Sequence, residues 1–141
     1  LFQFVEKHGS VLYDMFDDDT RKVFFVHGGT DTQTREDIRE ITEKEKNAII
    51  VASYGTFSTG INIRHLHNIV FASPSKSRIR TLQSIGRGLR RGESKDSAVL
   101  FDIADNLTHG SKPNFTLNHF MERINIYAEE EFDYEIERIK L

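Results

Sequence analysis

The nine residues QSIGRGLRR, numbers 83–91, carry the clearest chemical pattern in the sequence. On a helix, Arg87 follows Gln83 by four residues and Arg90 follows Arg87 by three, so the three side chains project from one face. Arginine suits phosphate because its forked guanidinium stays charged and binds two oxygens at once. Each glycine costs roughly 1 kcal/mol of helix propensity relative to alanine, and the missing side chain of Gly86 would let another backbone approach. The pattern predicts two guanidiniums held against one anion.

The elements that must position this helix are also visible. Leu82, Ile85 and Leu89 form an apolar stripe on it that predicts packing against a sheet. Four short runs rich in Val, Ile and Phe predict strands buried on both faces, as in a parallel sheet covered by helices. These runs are residues 22–27, 48–52, 68–72 and 98–103, and residues 1–5 are a fifth candidate, truncated at its start.

Segments with helical spacing lie between these runs, at residues 11–16, 31–46 and 77–91, and again at 115–141 after Pro113. The second of them is very polar, with Ile38 and Ile41 as its apolar residues, so we expect it at an exposed edge. A further short helix is expected between the second and third runs, residues 48–52 and 68–72. Alternating strands and helices predict an open α/β sheet with right-handed crossovers.

Small and hydroxyl-bearing residues follow three of the predicted strands. HGGT occupies residues 27–30, SYGTFSTGIN 53–62 and SPSKS 73–77. In open α/β sheets, ligands bind outside the carboxyl ends of the strands, where backbone N–H groups can meet phosphates. Ordinary turns need the same residue types, so the pattern fits both interpretations.

Composition narrows the class of protein. The 141 residues suit one globular domain, with 38% hydrophobic and 29% charged residues and no apolar run long enough for a membrane span. No cysteine is present, which excludes disulfides and thiolate metal sites and agrees with an intracellular, cytoplasmic location. His65 and His67 have no carboxylate or cysteine at ligand spacing, so we predict no metal site.

The net charge of −3 hides an asymmetry along the chain. Residues 76–95 carry seven basic side chains and one acidic one, whereas residues 129–137 carry six acidic side chains and no basic one. The basic segment suits a partner that bears phosphates. Both runs are equally compatible with solvated helix faces, and the role of the acidic segment stays open.

Several of these residues resemble the motifs of one family. Gln83, Gly86, Arg87 and Arg90 resemble motif VI of the superfamily 2 helicases, and residues 51–53 followed by 60–63 resemble motif V. Residues 2–3 lie where the motif IV strand would end, and His27-Gly28, with Arg35 further on, resembles the segment that precedes motif V in many members. The order matches the second RecA-like domain over residues 1–110. More narrowly, SYGTFSTGIN, HNIVF and QSIGRGLRR are similar to the UvsW-type DNA helicases of large tailed phages.

The resemblance implies a fold and different roles for the two motor domains of the family. Residues 1–112 would form a RecA-like open parallel sheet with helices on both faces, and residues 113–141 a helical extension. The family uses ATP with Mg²⁺, and its first motor domain holds the phosphate-binding loop and the Mg²⁺-binding acid. This sequence contains no G-x-x-x-x-G-K-[ST] pattern. The chain alone is therefore expected to be inactive, and the N-terminal RecA-like domain is an expected partner.

The resemblance also assigns roles to individual residues. Arg90 would be the arginine finger, Arg87 a second contact to the γ-phosphate, and Gln83 a hydrogen-bonding group near the phosphates. Gly60 and Asn62 would approach the ribose or the domain interface, although many members have Asp at position 62. Arg91 lies off this stripe. The candidate nucleic-acid contacts are Gly28, Gly29, Ser53, Thr56, Lys76 and Arg78.

The expected function is thus a DNA helicase or translocase of recombination, repair or fork processing, acting on branched DNA or single-strand/duplex junctions and not at a membrane. An RNA helicase shares motifs V and VI and remains an alternative. A non-enzymatic α/β module that binds nucleic acid or protein through its basic rim is another. A phosphate-binding domain of unrelated chemistry would explain the arginine stripe but not the linked motif V.

Overall fold

The computed structural model describes residues 1–2, 5–16, 20–60, 63, 66–73, 75, 77–88, 98–110 and 114–140. Parallel strands alternate with helices, which confirms the α/β class predicted from the sequence. The strands are β1 (Lys22–Val26), β2 (Ala48–Ala52), β3 (Asn68–Phe71) and β4 (Val99–Asp102). The helices are α1 (Ser10–Phe16), α2 (Thr32–Lys44), α3 (Tyr54–Gly60), α4 (Arg78–Gly88) and α5 (Phe115–Glu129), and a π-helical turn (Val5–Gly9) directly precedes α1.

The strands form two parallel pairs. β1 pairs with β2 so that Val26 lies opposite Ala52, and β3 pairs with β4 so that Val70 lies opposite Phe101. Parallel neighbours require a crossover between them, which α2 provides for the first pair and α4 for the second. The predicted strands therefore lie where the continuous apolar runs placed them, within one residue at each end.

The backbone of Leu1 and Phe2 joins the two pairs into one sheet. On one side, the Phe2 N–H donates to the Ala52 carbonyl at 3.1 Å, and the Tyr54 N–H donates to the Phe2 carbonyl at 3.0 Å. On the other side, the Leu1 nitrogen donates to the Val70 carbonyl, and the Ala72 N–H donates to the Leu1 carbonyl at 3.1 Å. Both patterns are those of parallel strands. The strand order is therefore β1, β2, residues 1–2, β3, β4.

The first predicted strand does not reach residue 5, because the chain is already helical from Val5. The helical turn lies close to Phe2: a Cβ atom built on Gly9 would lie only 2.5 Å from the Phe2 ring. The helical turn therefore lies directly over this ring, which also stacks on Phe25 with centroids 5.5 Å apart. Glycine at position 9 is what permits this approach.

One face of the sheet carries a continuous core. Helices α2 and α3 cover β1 and β2 there, and α4 and α5 cover β3 and β4. The buried residues of the first cluster are Val26, Ile38, Ala52, Phe57 and Ile63. Those of the second are Tyr54, Ile69, Phe71, Ile85 and Tyr127. Leu1 and Leu66 pack against both clusters, so the core is not interrupted between the two halves.

The opposite face is covered over one half only. Helix α1 packs there against β1 through Tyr13, whose ring lies 5.6 Å from that of Phe25. Over β3 and β4, the side chains of this face are 39–53% exposed. They are Val70, Val99, Phe101 and Ile103. The expectation of helices on both faces therefore holds for β1 and β2, whereas no described helix covers the second half of this face.

Helix α5 is shorter than the predicted helical extension. The Asn114 side chain caps its start by accepting from the N–H groups of Thr116 and Leu117. The helix ends at Glu129, and residues 132–140 are not helical. Glu131 takes a left-handed φ of 56°, and the Phe132 N–H then donates to the Tyr127 carbonyl at 2.9 Å. This is a Schellman ending without its usual glycine.

Glycine at position 131 should stabilise the domain. A non-glycine residue in the left-handed region costs about 1 kcal/mol or more, so Glu131→Gly should raise the free energy of unfolding by about 1 kcal/mol. Glu135→Gly is the matched control, because Glu135 is an exposed glutamate without a positive φ and gains nothing from glycine. Urea unfolding of both variants measures the difference. An equal or lower stability for Glu131→Gly would contradict the strained ending.

Candidate functional site

The parallel strands bring the predicted turns to one edge of the sheet. HGGT follows β1, Ser53 follows β2, and residues 73 and 75 follow β3. Because all these strands run in the same direction, their carboxyl ends share an edge, as the sequence predicted. This edge is called the carboxyl rim below.

The HGGT turn is held by its own hydrogen bonds. The Thr30 N–H donates to the His27 carbonyl at 3.0 Å, and the His27 N–H donates to Thr30 Oγ1 at 3.1 Å. The Gly29 N–H donates to His27 Nδ1 at 3.1 Å, so His27 organises the turn. Gly28 and Gly29 are both exposed. The turn therefore presents its two glycines to solvent in a fixed geometry.

The helix that follows this turn does not offer a free N-terminus for an anion. The Asp31 carboxylate caps α2 by accepting from the Thr34 N–H at 3.0 Å and from the Thr34 hydroxyl at 2.6 Å. The hydrogen bonds from the side chain and backbone of Thr34 lower the pKa of Asp31. Asp31 is therefore ionised at neutral pH, and its charge occupies the positive end of the helix dipole.

The hydroxyls after β2 form the start of α3. Ser53 Oγ–H donates to Thr56 Oγ1 at 2.9 Å, and the Thr56 N–H donates back to Ser53 Oγ at 3.4 Å. Thr56 is only 5% exposed, whereas Ser53 is half-buried. Of these two predicted contacts, Ser53 is thus the accessible one. Gly60 is the last residue of α3, and Asn62 lies outside the described residues.

Helix α4 carries the opening pattern of the sequence. Ile85 is buried and Leu82 half-buried, as the apolar stripe predicted, while Gln83 and Gly86 are exposed. Arg87 lies in the last turn of the helix, but its side chain is outside the described part of the structure, as are Leu89 and Arg90. Within the described residues, nothing approaches the Gly86 position within 4 Å. The expected close approach of another backbone there is therefore not observed.

The buried face of α4 is more polar than the sequence indicated. Thr81 is 1% exposed and Ser84 is 0% exposed. Their hydroxyl oxygens have no hydrogen-bond partner among the described residues. These small side chains let the helix lie close to the sheet. The apolar stripe seen in the sequence did not predict that they would be buried.

Arg78, a predicted nucleic-acid contact, is engaged with the end of α5. Its guanidinium forms an ion pair with Glu129 and a second with Glu130 at 2.8 Å. The hydrogen bond from Glu129 and the charges of both carboxylates raise the pKa of Arg78. All three side chains are substantially exposed, so a competing phosphate can reach them. The other basic candidate of this segment, Lys76, lies outside the described residues.

Sequence reasoning missed a buried polar network behind the rim. Arg123 Nε and Nη2 donate to the two carboxylate oxygens of Asp102 at 2.7 and 2.6 Å. Arg123 Nη1 donates to the Ser75 carbonyl at 2.8 Å, and the Tyr127 hydroxyl donates to Asp102 Oδ2 at 2.7 Å. The signal that could have found the network is Asp102 itself, an acid at the end of a buried strand.

The network shifts the protonation of its members. Burial would lower the pKa of Arg123, but the hydrogen bond and charge of Asp102 outweigh it and raise that pKa. Burial and the neighbouring Asp102 charge also raise the pKa of Tyr127. Burial likewise raises the pKa of Tyr54, whose hydroxyl donates to the Ser73 carbonyl at 2.8 Å. Both tyrosines therefore remain neutral donors at neutral pH.

The described residues contain no group of three or more side chains that could hold a metal ion. In the same part of the chain, no helix is long and apolar enough to cross a membrane.

Comparison with known proteins identifies relatives. The family model described as the helicase conserved C-terminal domain matches residues 2–92. The ATP-dependent DNA helicase uvsW of Enterobacteria phage T4 is 40% identical over 146 residues, covering 95% of this chain and 29% of the phage protein. The putative ATP-dependent helicase IRC3 of Saccharomyces cerevisiae is 28% identical over 103 residues, which cover 73% of this chain and 15% of the yeast protein. The chain thus spans less than a third of each relative. No solved structure matches it significantly.

The two glycines of the HGGT turn should respond differently to an added methyl group. A Cβ atom at Gly28 would meet nothing within 4 Å, whereas one at Gly29 would lie 3.0 Å from the His27 ring. Gly29→Ala should therefore push the ring away from the Gly29 N–H and lower the thermal midpoint relative to Gly28→Ala. Thermal unfolding of both variants measures this. Equal midpoints would show that the His27 contact contributes little.

Proposed function

Because the chain belongs to the helicase conserved C-terminal domain family, we propose that it is the C-terminal motor domain of an ATP-dependent superfamily 2 DNA helicase or translocase. The matches confirm the resemblance noted from the sequence, including that to UvsW-type helicases. The observation that carries the proposal is the 40% identity to a phage DNA helicase over 95% of this chain. Recombination, repair or replication-fork processing is the process we assign to it. Residues 1–112 would form the motor domain and residues 113–141 its helical extension.

The arginines of the α4 segment would act on the transferred phosphate. Phosphoryl transfer spreads negative charge over the equatorial oxygens, and catalysis consists largely of positioning and charge stabilisation. Arg90 would be the arginine finger and Arg87 a second contact, with Gln83 hydrogen-bonding near the phosphates. The exposed position of Gln83 supports this, since the same face of α4 stays open to a ligand.

ATP and Mg²⁺ would be held mainly by the N-terminal RecA-like domain of the same protein. Glu36, Asp37 and the other acids of the described residues form no potential metal cluster, and the sequence has no phosphate-binding loop. ATP supplies the phosphoryl group, while this chain orients it and stabilises its charge. Gly60 and Asn62 would lie near the ribose or the interface between the domains. On this proposal, the chain alone does not hydrolyse ATP.

The carboxyl rim would carry the DNA backbone. Gly28 and Gly29 are exposed there, and Ser53 presents a half-buried hydroxyl. Contacts of backbone N–H and hydroxyl groups to phosphates fix position without reading sequence. Thr56 would have to break its hydrogen bonds with Ser53 to reach a phosphate. Its contribution would therefore be to orient the Ser53 hydroxyl. Lys76 and Arg78 would extend the surface toward branched DNA or single-strand/duplex junctions.

Arg90→Ala in the full-length protein tests the assignment. Arginine fingers contribute ~10³–10⁵ in rate, so DNA-stimulated ATP hydrolysis should fall by ~10³ or more. Arg91→Ala is the matched control, because position 91 lies off the stripe of residues 83, 87 and 90. Steady-state hydrolysis with and without DNA gives the comparison, with the 141-residue chain as a blank. Near-normal turnover by Arg90→Ala would mean that the stripe binds DNA or serves the fold.

The acids that pair with Arg78 should weaken DNA binding. A phosphate that binds Arg78 must first displace Glu129 and Glu130. Glu129→Gln/Glu130→Gln should therefore increase affinity several-fold and steepen the salt dependence by about one counterion. The matched control is Glu135→Gln/Glu137→Gln, which changes the net charge equally at exposed positions. Fluorescence anisotropy of labelled DNA over a salt series, with the full-length protein, measures the affinity and its salt dependence for both double variants.

Three results would contradict a role for Arg78 in this binding. An equal gain from both double variants would mean that only overall charge matters. No gain from either variant would mean that DNA does not reach Arg78. Full affinity in Arg78→Ala would mean the same.

A further inference from the structure

The Arg123 guanidinium connects three separate parts of the chain. Its side chain is 1% exposed, and that of Asp102, its partner at the end of β4, is 8% exposed. Two of its nitrogens bind the carboxylate, and the third donates to the Ser75 carbonyl at 2.8 Å. The Arg123 carbon Cζ also lies 5.8 Å from the centroid of the Phe120 ring. Helix α5 is thereby fixed both to the sheet and to the segment that precedes α4.

Ser75 in turn leads directly into the start of α4. The Ser77 N–H donates to Ser75 Oγ at 3.4 Å. Ser77 then caps the helix, accepting from the Arg80 N–H at its hydroxyl and from the Thr81 N–H at its carbonyl. Ser75 therefore binds Arg123 through its carbonyl and the capping residue of α4 through its hydroxyl.

We propose that Arg123 is a positioning residue, which fixes the direction of α4 and so the place of Arg87 in its last turn and the point from which the segment carrying Arg90 starts. The inference rests on the proposed function of those arginines. Helix α4 runs from Arg78 to Gly88, a length of roughly 15 Å at 1.5 Å per residue. A rotation of about 5° at its start would move its far end by roughly 1 Å. A misplacement of ~1 Å in a catalytic group can cost ~10²-fold in rate.

Only arginine can make all three contacts at once. Its planar fork supplies two parallel donors to one carboxylate and still has a donor for a third acceptor. A lysine at this position keeps the positive charge opposite Asp102, but its short ammonium head cannot also span to the Ser75 carbonyl. Arg123→Lys therefore keeps the charge pair with Asp102 but removes the hydrogen bond to Ser75, the contact that leads to α4.

The test is ATP hydrolysis by the full-length protein in the presence of saturating DNA. Arg123→Lys should lower kcat by ~10-fold or more and change the KM for ATP by less than about twofold, since the arginines act on charge that develops during transfer. Ile126→Ala is the matched control: Ile126 is buried in the same helix but donates nothing to Ser75. It should lower the thermal midpoint with little effect on kcat below that midpoint.

A second variant covers the case in which Arg123→Lys does not fold. Arg123→Gln/Asp102→Asn replaces the buried charges by two amides, which leaves no unpaired charge in the interior. The shorter glutamine side chain, engaged with the amide at position 102, cannot also reach the Ser75 carbonyl, so the same loss of kcat is expected. Chemical denaturation establishes that each variant is folded under the assay conditions.

The outcomes separate this inference from the proposed function. If Arg90→Ala abolishes turnover while both Arg123 variants keep normal kcat, the positioning role is wrong and the proposed function stands. If kcat falls in Ile126→Ala as much as in the Arg123 variants, Arg123 only stabilises the fold, and the inference is overturned. If Arg90→Ala keeps normal turnover, the proposed function and this inference fall together.

Discussion

The hydrogen bonds of a two-residue segment hold the sheet together. Leu1 and Phe2 lie between β2 and β3, and their backbone groups bond to both. Each strand pair has only four or five residues per strand, which is short for an independent sheet. The shared core depends on this join, because Leu1 packs against both clusters of buried residues. The relative position of the HGGT turn and of α4 therefore follows from the pairing of one dipeptide.

A buried charge pair holds the helical side of the same structure. Removing one partner of such a pair typically costs about 3–5 kcal/mol, because an unpaired charge is left in the interior. In the intact pair, each nitrogen of the Arg123 guanidinium and both carboxylate oxygens of Asp102 have a partner, with Tyr127 as a further donor. Helix α5 is for this reason part of the folded unit in the described residues and contributes to the second core cluster through Tyr127.

The sequence predicted the strands well because continuous runs of Val, Ile and Phe have few other uses in a small domain. It predicted the rim turns because Gly, Ser or Thr residues follow three of the strands. It could not tell which hydroxyls face inward, so Thr56 and Ser84 were not recognised as buried. The end of α5 was missed because a glutamate, not a glycine, takes the left-handed position. The environment of Arg123 depends on contacts with Asp102 and Ser75, which are distant in the sequence, so no local pattern predicts it.

The uncovered half of one sheet face affects how the domain responds to temperature. Val70, Val99, Phe101 and Ile103 remain 39–53% exposed in the folded state. Apolar surface that is already hydrated adds nothing to the heat capacity change of unfolding, which grows with the apolar area newly exposed. Among the described residues, this half of the face therefore contributes less to the heat capacity change of unfolding than a covered half would.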